Sequence, residues 1–225
     1  MEKKKKTVKV TELETILQNY HNNNCWNETK AWFNQFGNNV SERAKFLKAK
    51  MYSSKPITTE DGEGKVDDFS VLQGDIIKTK AAITSVPLFD YDQLEYSYYL
   101  IVPSSCSIQP NRYKQVLLAR LTPIQDIEHE MKNIFIDSVR LKAAKNFYLP
   151  PIDGESLGEF GFIAVFEEIS HIDNGLLQSA QRVASLSMIG WHLLNAFVVN
   201  HFTRPSSDDV TLRQSEDDEE WSFYE

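Results

Sequence analysis

The hydrophobic period of this chain changes from helical to strand-like near residue 60, and that change sets what it can fold into. Between residues 11 and 52 the apolar residues recur at helical spacing. Leu13, Ile16, Leu17 and Tyr20 fall at i, i+3, i+4 and i+7, and after the polar break HNNN a second run holds Trp26, Trp32, Phe33 and Phe36. Gly37-Asn38-Asn39 is a stop signal, and Ser41 is placed to cap a third helix through Phe46, Leu47 and Met51. On that helix Glu42, Arg43, Lys45, Lys48 and Lys50 are expected mostly on the outer face. Residues 1–52 therefore read as a helical prefix. In SSKPITTEDGEGKVDD, 53–68, Pro, Gly, Ser, Thr and acids replace the apolar period, the composition of a linker.

From Phe69 the period is that of strands. FSVLQGDIIK, AAITSVPLF, YSYYLIVPS and YKQVLLARL are short, rich in β-branched and aromatic residues, and separated by turn signals. Such a series predicts a small antiparallel barrel or meander. After Pro123 the helical period returns, with Ile127, Met131, Ile134, Phe135 and Val139 able to share one face. NFYLPP is strand-like, and EFGFIAVFEEIS has apolar residues on both faces, as a strand covered on both sides would. Ser187 is then the expected N-cap of a closing helix carrying Leu193, Leu194, Phe197, Val198 and Phe202, stopped by Pro205. The expected class is α+β: an antiparallel β-barrel packed with helices over 69–204, preceded by the prefix and followed by a disordered tail, 205–225.

Charge is unevenly placed. Of the formal net charge of -8, -7 falls between Ser206 and Glu225, where eight acids face only Arg213. A nearly neutral body with an acidic tail lacks the basic footprint that nucleic-acid binding requires, so direct binding of nucleic acid is not expected. No apolar stretch approaches the ~20 residues that span a bilayer, and MEKKKKTVKV has no apolar h-region after its basic start. A cytoplasmic location without membrane attachment is expected. The two cysteines, Cys25 and Cys106, sit in no CxxC or Cys/His spacing, and His192 and His201 are nine residues apart, so neither a metal nor another cofactor is predicted. G-x-G-x-x-G and the P-loop pattern do not occur.

The order GDII, LIVPSSCSI, VLLARLTPI, NFYLPP and RVASLS before a helix ending HFTR resembles an uncharacterised family of small bacterial proteins. In that family a GDI strand is followed by an S-x-x-C-D strand, an apolar strand, a Y-L-P segment and an R-V-A-S-L-S helix. The resemblance covers about residues 69–204. The first three pieces also resemble, more distantly, the SH3-like barrel of the MazF/PemK group, which implies an SH3-like fold and a toxin–antitoxin or antiviral defence setting. MazF-like endoribonucleases carry an Arg-Pro pair whose Arg stabilises charge on the scissile phosphate. Here Glu95-Tyr96-Ser97-Tyr98-Tyr99 stands in its place, and Ser107 stands where the bacterial family has Asp after its Cys.

No catalytic set emerges. Cys106, with Ser105 before it and Arg112 nearby, is the one candidate for a thiol or groove site, since a cation lowers a thiol pKa; the plain alternative is a buried structural Cys. Asp75 is expected to hold its turn, and Arg182 and Arg204 to pair with carboxylates such as Asp75. The tail differs from all of these. Asp217, Asp218, Glu219 and Glu220 lead into Trp221, Phe223 and Tyr224, and aromatics of this kind anchor interfaces. These seven residues are the predicted partner-binding set, the plain alternative being a disordered, solvating acidic run, and the implied partner is a protein with a basic, apolar surface, encoded nearby. The expected role is that of a non-enzymatic interaction or accessory protein; a MazF-like endoribonuclease, or a degenerate relative of one, is the alternative.

Overall fold

Residues 9–22, 24–54, 71–79, 97–108, 114–125, 129–142, 145–177 and 180–203 are described in a computed structural model. The linker beyond Ser54, the AAITSVPLF segment and the acidic tail lie outside them.

The helical period of the first fifty residues produces α1 (Val10–Gln18), α2 (Cys25–Phe33), a 3-10 turn (Asn34–Phe36) and α3 (Val40–Lys50). Asn39, not Ser41, caps α3: its side chain accepts from the Glu42 amide at 3.1 Å. Asn39 ends the turn one residue before helical φ/ψ begins, and only a side chain at that position reaches the third amide. Arg43 is also not on the outer face. It is 4% exposed, and its guanidinium donates to the Gly37 carbonyl at 2.9 Å, which ties off the turn before α3.

Among the described residues six antiparallel strands follow: β1 (Asp75–Thr79), β2 (Ser97–Ile101), β3 (Gln115–Pro123), β4 (Asn146–Leu149), β5 (Phe162–Asp173) and β6 (Gln181–Ser185). Between them lie α4 (Ser105–Ile108), α5 (His129–Val139) and α6 (Asn174–Leu177), and α7 (Met188–Thr203) closes the order. The sheet order is β4-β5-β3-β2-β1-β6, so the meander β1-β2-β3 is flanked by later strands, and the sheet curls as a half-barrel. Register breaks between Ile76 and Ile77 on β1, and between Ala119 and Leu121 on β3, fit that curl, since extra residues on one strand bend and twist a ladder. The R-V-A-S segment, which reads from sequence as the lead into a helix, is strand β6. It pairs with β1 through Asp75↔Ser185 and Ile76↔Ala184, a long-range pairing that local spacing does not encode.

The two faces of the sheet bury separate clusters. The larger joins Ile76, Leu100, Leu121, Phe147, Phe162 and Phe166 to the prefix and to α7. Phe197 of α7 sits at its centre, within ring contact of Trp26, Phe147 and Phe166 at 5.1–5.5 Å between centroids. The smaller cluster, Ile77, Tyr99, Ile101, Val116, Leu118 and Ile172, is closed by Ile108 of α4 and Leu177 of α6. Short as they are, these two helices cover a face that would otherwise meet water.

The prefix is locked to α7 at one junction. Ser187 caps α7 as its sequence predicts, its Oγ accepting from the Gly190 amide at 3.1 Å, while the same hydroxyl donates to the Lys50 carbonyl. The Ser187 amide donates to the Met51 carbonyl at 2.8 Å. The C-terminal carbonyls of α3 are thus satisfied by the N-cap of α7. Gly190 permits the approach, because a Cβ there would stand 2.3 Å from the Met51 carbonyl oxygen. In an isolated helix Gly→Ala gains about 1 kcal/mol. Gly190→Ala is instead expected to cost roughly 1–3 kcal/mol, the range for overpacking, because backbone must move; urea unfolding followed by far-UV circular dichroism checks the sign.

Candidate interaction groove

Helix α5 packs on β4 and α3 packs against α5, and a cleft lies between part of the two helices. Helix α3 contributes Val40 and Ala44 to one wall, and α5 contributes Phe135 and Ile136 to the other. Tyr148 of β4, with Pro151 and Phe160 from the following loop, forms the floor. The space between has a volume of about 510 Å³, within the range of ligand and peptide clefts. Lys45, Lys48 and Lys132 stand on its rim together with Ser41 and a single acid, Glu159. Lys48 also approaches Asp153 at 3.9 Å, an exposed pair that contributes little.

The local reasons are simple. On α3, Val40, Ala44 and Lys48 fall at i, i+4 and i+8 along the row that lines the groove, and Lys45 lies one step round the helix from Ala44. On β4, alternation sends Phe147 to the α7 side, against Phe197, and Tyr148 to the α5 side, edge-on to Phe135 at 5.5 Å. The Tyr148 hydroxyl donates to the Phe160 carbonyl at 3.0 Å, and burial pushes its phenol above the ordinary range. It is therefore a neutral donor already in use. What remains accessible in the groove is apolar surface edged by cations, suited to holding side chains rather than to transferring protons.

Two of the polar clusters among the described residues involve charged side chains away from the groove. Asp75 is 1% exposed; its Oδ2 accepts from the Leu72 amide at 2.8 Å and meets Arg182 Nη1 at 3.3 Å. Burial raises the Asp75 carboxyl, against the lowering by the Leu72 amide, Ser185 and Arg182. Asp75 thus holds its turn and pairs with Arg182, as its place in GDII suggests, and Gly74 at φ +86° allows the turn to enter β1. The second cluster pins the loop after β4 to the sheet. Glu155 accepts from Tyr98 and from Lys78, the latter at 3.0 Å. Burial opposes ionisation of Glu155, but the hydrogen bonds from Tyr98 and Lys78 outweigh it and hold the carboxyl below its ordinary value.

Of the residues singled out from sequence, Ser105 and Cys106 fall in the single turn α4, and their side chains lie outside the described residues. Arg112, Arg204 and the tail set Asp217, Asp218, Glu219, Glu220, Trp221, Phe223 and Tyr224 lie outside them as well. Cys25 is buried, its thiol donating to the Ile16 carbonyl at 3.3 Å, and burial raises its pKa, the environment of an inert structural cysteine. Thr122, the residue of VLLARLTPI that stands where a MazF-like endoribonuclease would have its strand Thr, is a partly buried β3 residue paired with Ile163. Sequence reasoning missed the groove, because its walls come from segments about a hundred residues apart. The one local sign was the placement of Lys45 and Lys48 beside Ala44.

No protein-family model matches the chain, and no curated protein matches it.

The Asp75–Arg182 pair makes a pH-dependent prediction. Removing one partner of a buried pair leaves an uncompensated charge and costs about 3 kcal/mol or more. In Arg182→Gln the Asp75 carboxyl loses a lowering influence, so its folded pKa rises further above the unfolded one. A raised folded pKa contributes stability at low pH that is lost as pH rises through it. The deficit of Arg182→Gln relative to wild type, measured by urea unfolding, is therefore expected to be larger at pH 8 than at pH 5.

Proposed function

We propose that the chain is a non-enzymatic interaction protein of the cytoplasm, built on an SH3-like barrel, that works by docking protein segments. The observation that carries this reading is the groove between α3 and α5: an apolar floor of about 510 Å³ whose one buried hydroxyl is already bonded, with lysines on the rim. Peptide-docking grooves have this construction, with apolar anchors buried at the centre and charge at the edge. The second docking element is the tail, where Asp217, Asp218, Glu219 and Glu220 precede Trp221, Phe223 and Tyr224. Its partner is a protein with a basic, apolar surface, encoded nearby in a bacterial defence or toxin–antitoxin type system. That setting rests on the resemblance of GDII, LIVPSSCSI and VLLARLTPI to the PemK/MazF-like barrel.

The reading is tested by affinity capture from the host with the full chain as bait. Trp221→Ala is expected to weaken capture of the specific partner by roughly 2 kcal/mol or more, the size of an interface hot spot. Neutralising any one tail acid is expected to cost less than about 1 kcal/mol, as rim charges do. Discrete, metal-independent cleavage of single-stranded RNA by the purified protein, abolished by Thr122→Ala or Arg112→Ala, would overturn it in favour of an endoribonuclease.

A further inference from the structure

The groove and the tail are chemically complementary, and they belong to one chain. We infer that residues 216–225 dock in the groove between α3 and α5 of the same molecule, Trp221 and Phe223 entering against Ala44, Phe135 and Tyr148 while the acids before them meet Lys45, Lys48 and Lys132. The inference takes from the proposed function only the assignment of the tail as a docking element, and it adds the site that holds this element when no partner is present.

Charge is the first argument. Three lysines stand on the rim against Glu159, with Asp153 near Lys48, and an apolar floor lies between them. Asp217 to Glu220 supply four consecutive negative charges, and Trp221, Phe223 and Tyr224 supply apolar anchors directly after them. A basic segment would be repelled by the rim, and a purely apolar one would leave it unused.

Reach is the second. Helix α7 ends at Thr203 with Phe202 against Phe166, their ring centroids 6.2 Å apart. The Phe166 amide donates to the Lys145 carbonyl, and Lys145 leads into β4, whose Tyr148 is the groove floor. Three strand residues cover only ~10 Å. Residues 204–220 extend to roughly 55 Å and as a flexible chain average about 20–25 Å, so the tail spans the gap without strain. A tether of this length holds its ligand at an effective concentration on the order of millimolar, enough to populate a weak site. A partner must then displace the tail from its own groove, which sets a threshold for binding.

Fluorine NMR of the full chain labelled with 5-fluorotryptophan tests this directly. The four tryptophans give separate reporters, and Trp221→Phe assigns the tail signal. At low salt the Trp221 signal is expected away from that of a synthetic 206–225 peptide and shielded from a soluble paramagnetic agent. In Lys45→Glu/Lys48→Glu, a change confined to exposed side chains, the docked fraction is expected to fall roughly tenfold or more, as two attractions become repulsions. Ala44→Asp, in the apolar wall, should release the tail as well. Unmoved Trp26, Trp32 and Trp191 signals would show that the fold survives. A Trp221 signal that coincides with the free peptide in wild type, or that ignores both variants, overturns the proposal. So does a signal that returns to the free position on dilution, since the occupant would then be the tail of a second copy. The outcome is separable from the capture experiment: a docked tail with no partner captured refutes the proposed function alone, and a free tail with a partner captured through Trp221 refutes the docking alone.

Discussion

The junction at Ser187 carries more of this architecture than any other contact. One hydroxyl caps α7 and satisfies the end of α3, and the neighbouring amide takes the next carbonyl. Helix ends leave orphan donors and acceptors, and here two such ends complete each other. The consequence extends on both sides. Tyr52 continues from α3 to bridge Leu186, and the Ser53 amide donates to the Ser185 carbonyl, so the chain leaving the prefix runs along β6. The prefix thus shares hydrogen bonds with the sheet and apolar contacts with α7, in one cluster with Leu13, Leu17, Trp26 and Phe197.

Fixing α3 in this way also determines the groove. Strand β4 is buried on both faces, by α7 against Phe147 and by α5 against Tyr148. Because α3 is anchored at its C-terminal end by α7, it lies beside α5 without filling the space over Pro151 and Phe160, and the cleft is what remains between them. Arg43 braces the other end of α3, through the Gly37 carbonyl and toward the Arg140 carbonyl after α5 at 3.5 Å. The groove walls are therefore held at both ends, a condition for a docking surface that does not pay to order itself on binding.

Two ion pairs serve the sheet rather than the groove. Asp75 ties the entry turn of β1 to Arg182 of β6, and Glu155 ties the loop after β4 to Lys78 and Tyr98. Both join segments distant in sequence, where an unpaired charge would be costly; a slip in strand register would leave one.

Much of this was legible in the chain. Helical spacing located the prefix and α7, two-residue alternation located β1, β2, β3 and β5, and NFYLPP marked β4, because burial on one face or two imposes those periods on side chains directly. Ser187 was recognisable as a cap, and Asp75 with Arg182 as a structural pair. Strand β6 was not, since Gln181–Ser185 has little β character of its own and becomes a strand by pairing with β1. Arg43 and Asn39 were misassigned for a related reason: the turn geometry that buries one and makes the other a cap depends on how α2 and α3 pack. The acidic, aromatic tail is a property of sequence alone, whereas the groove that matches it exists only when Ala44, Phe135 and Tyr148, residues far apart in the chain, are brought to one place by the junction at Ser187.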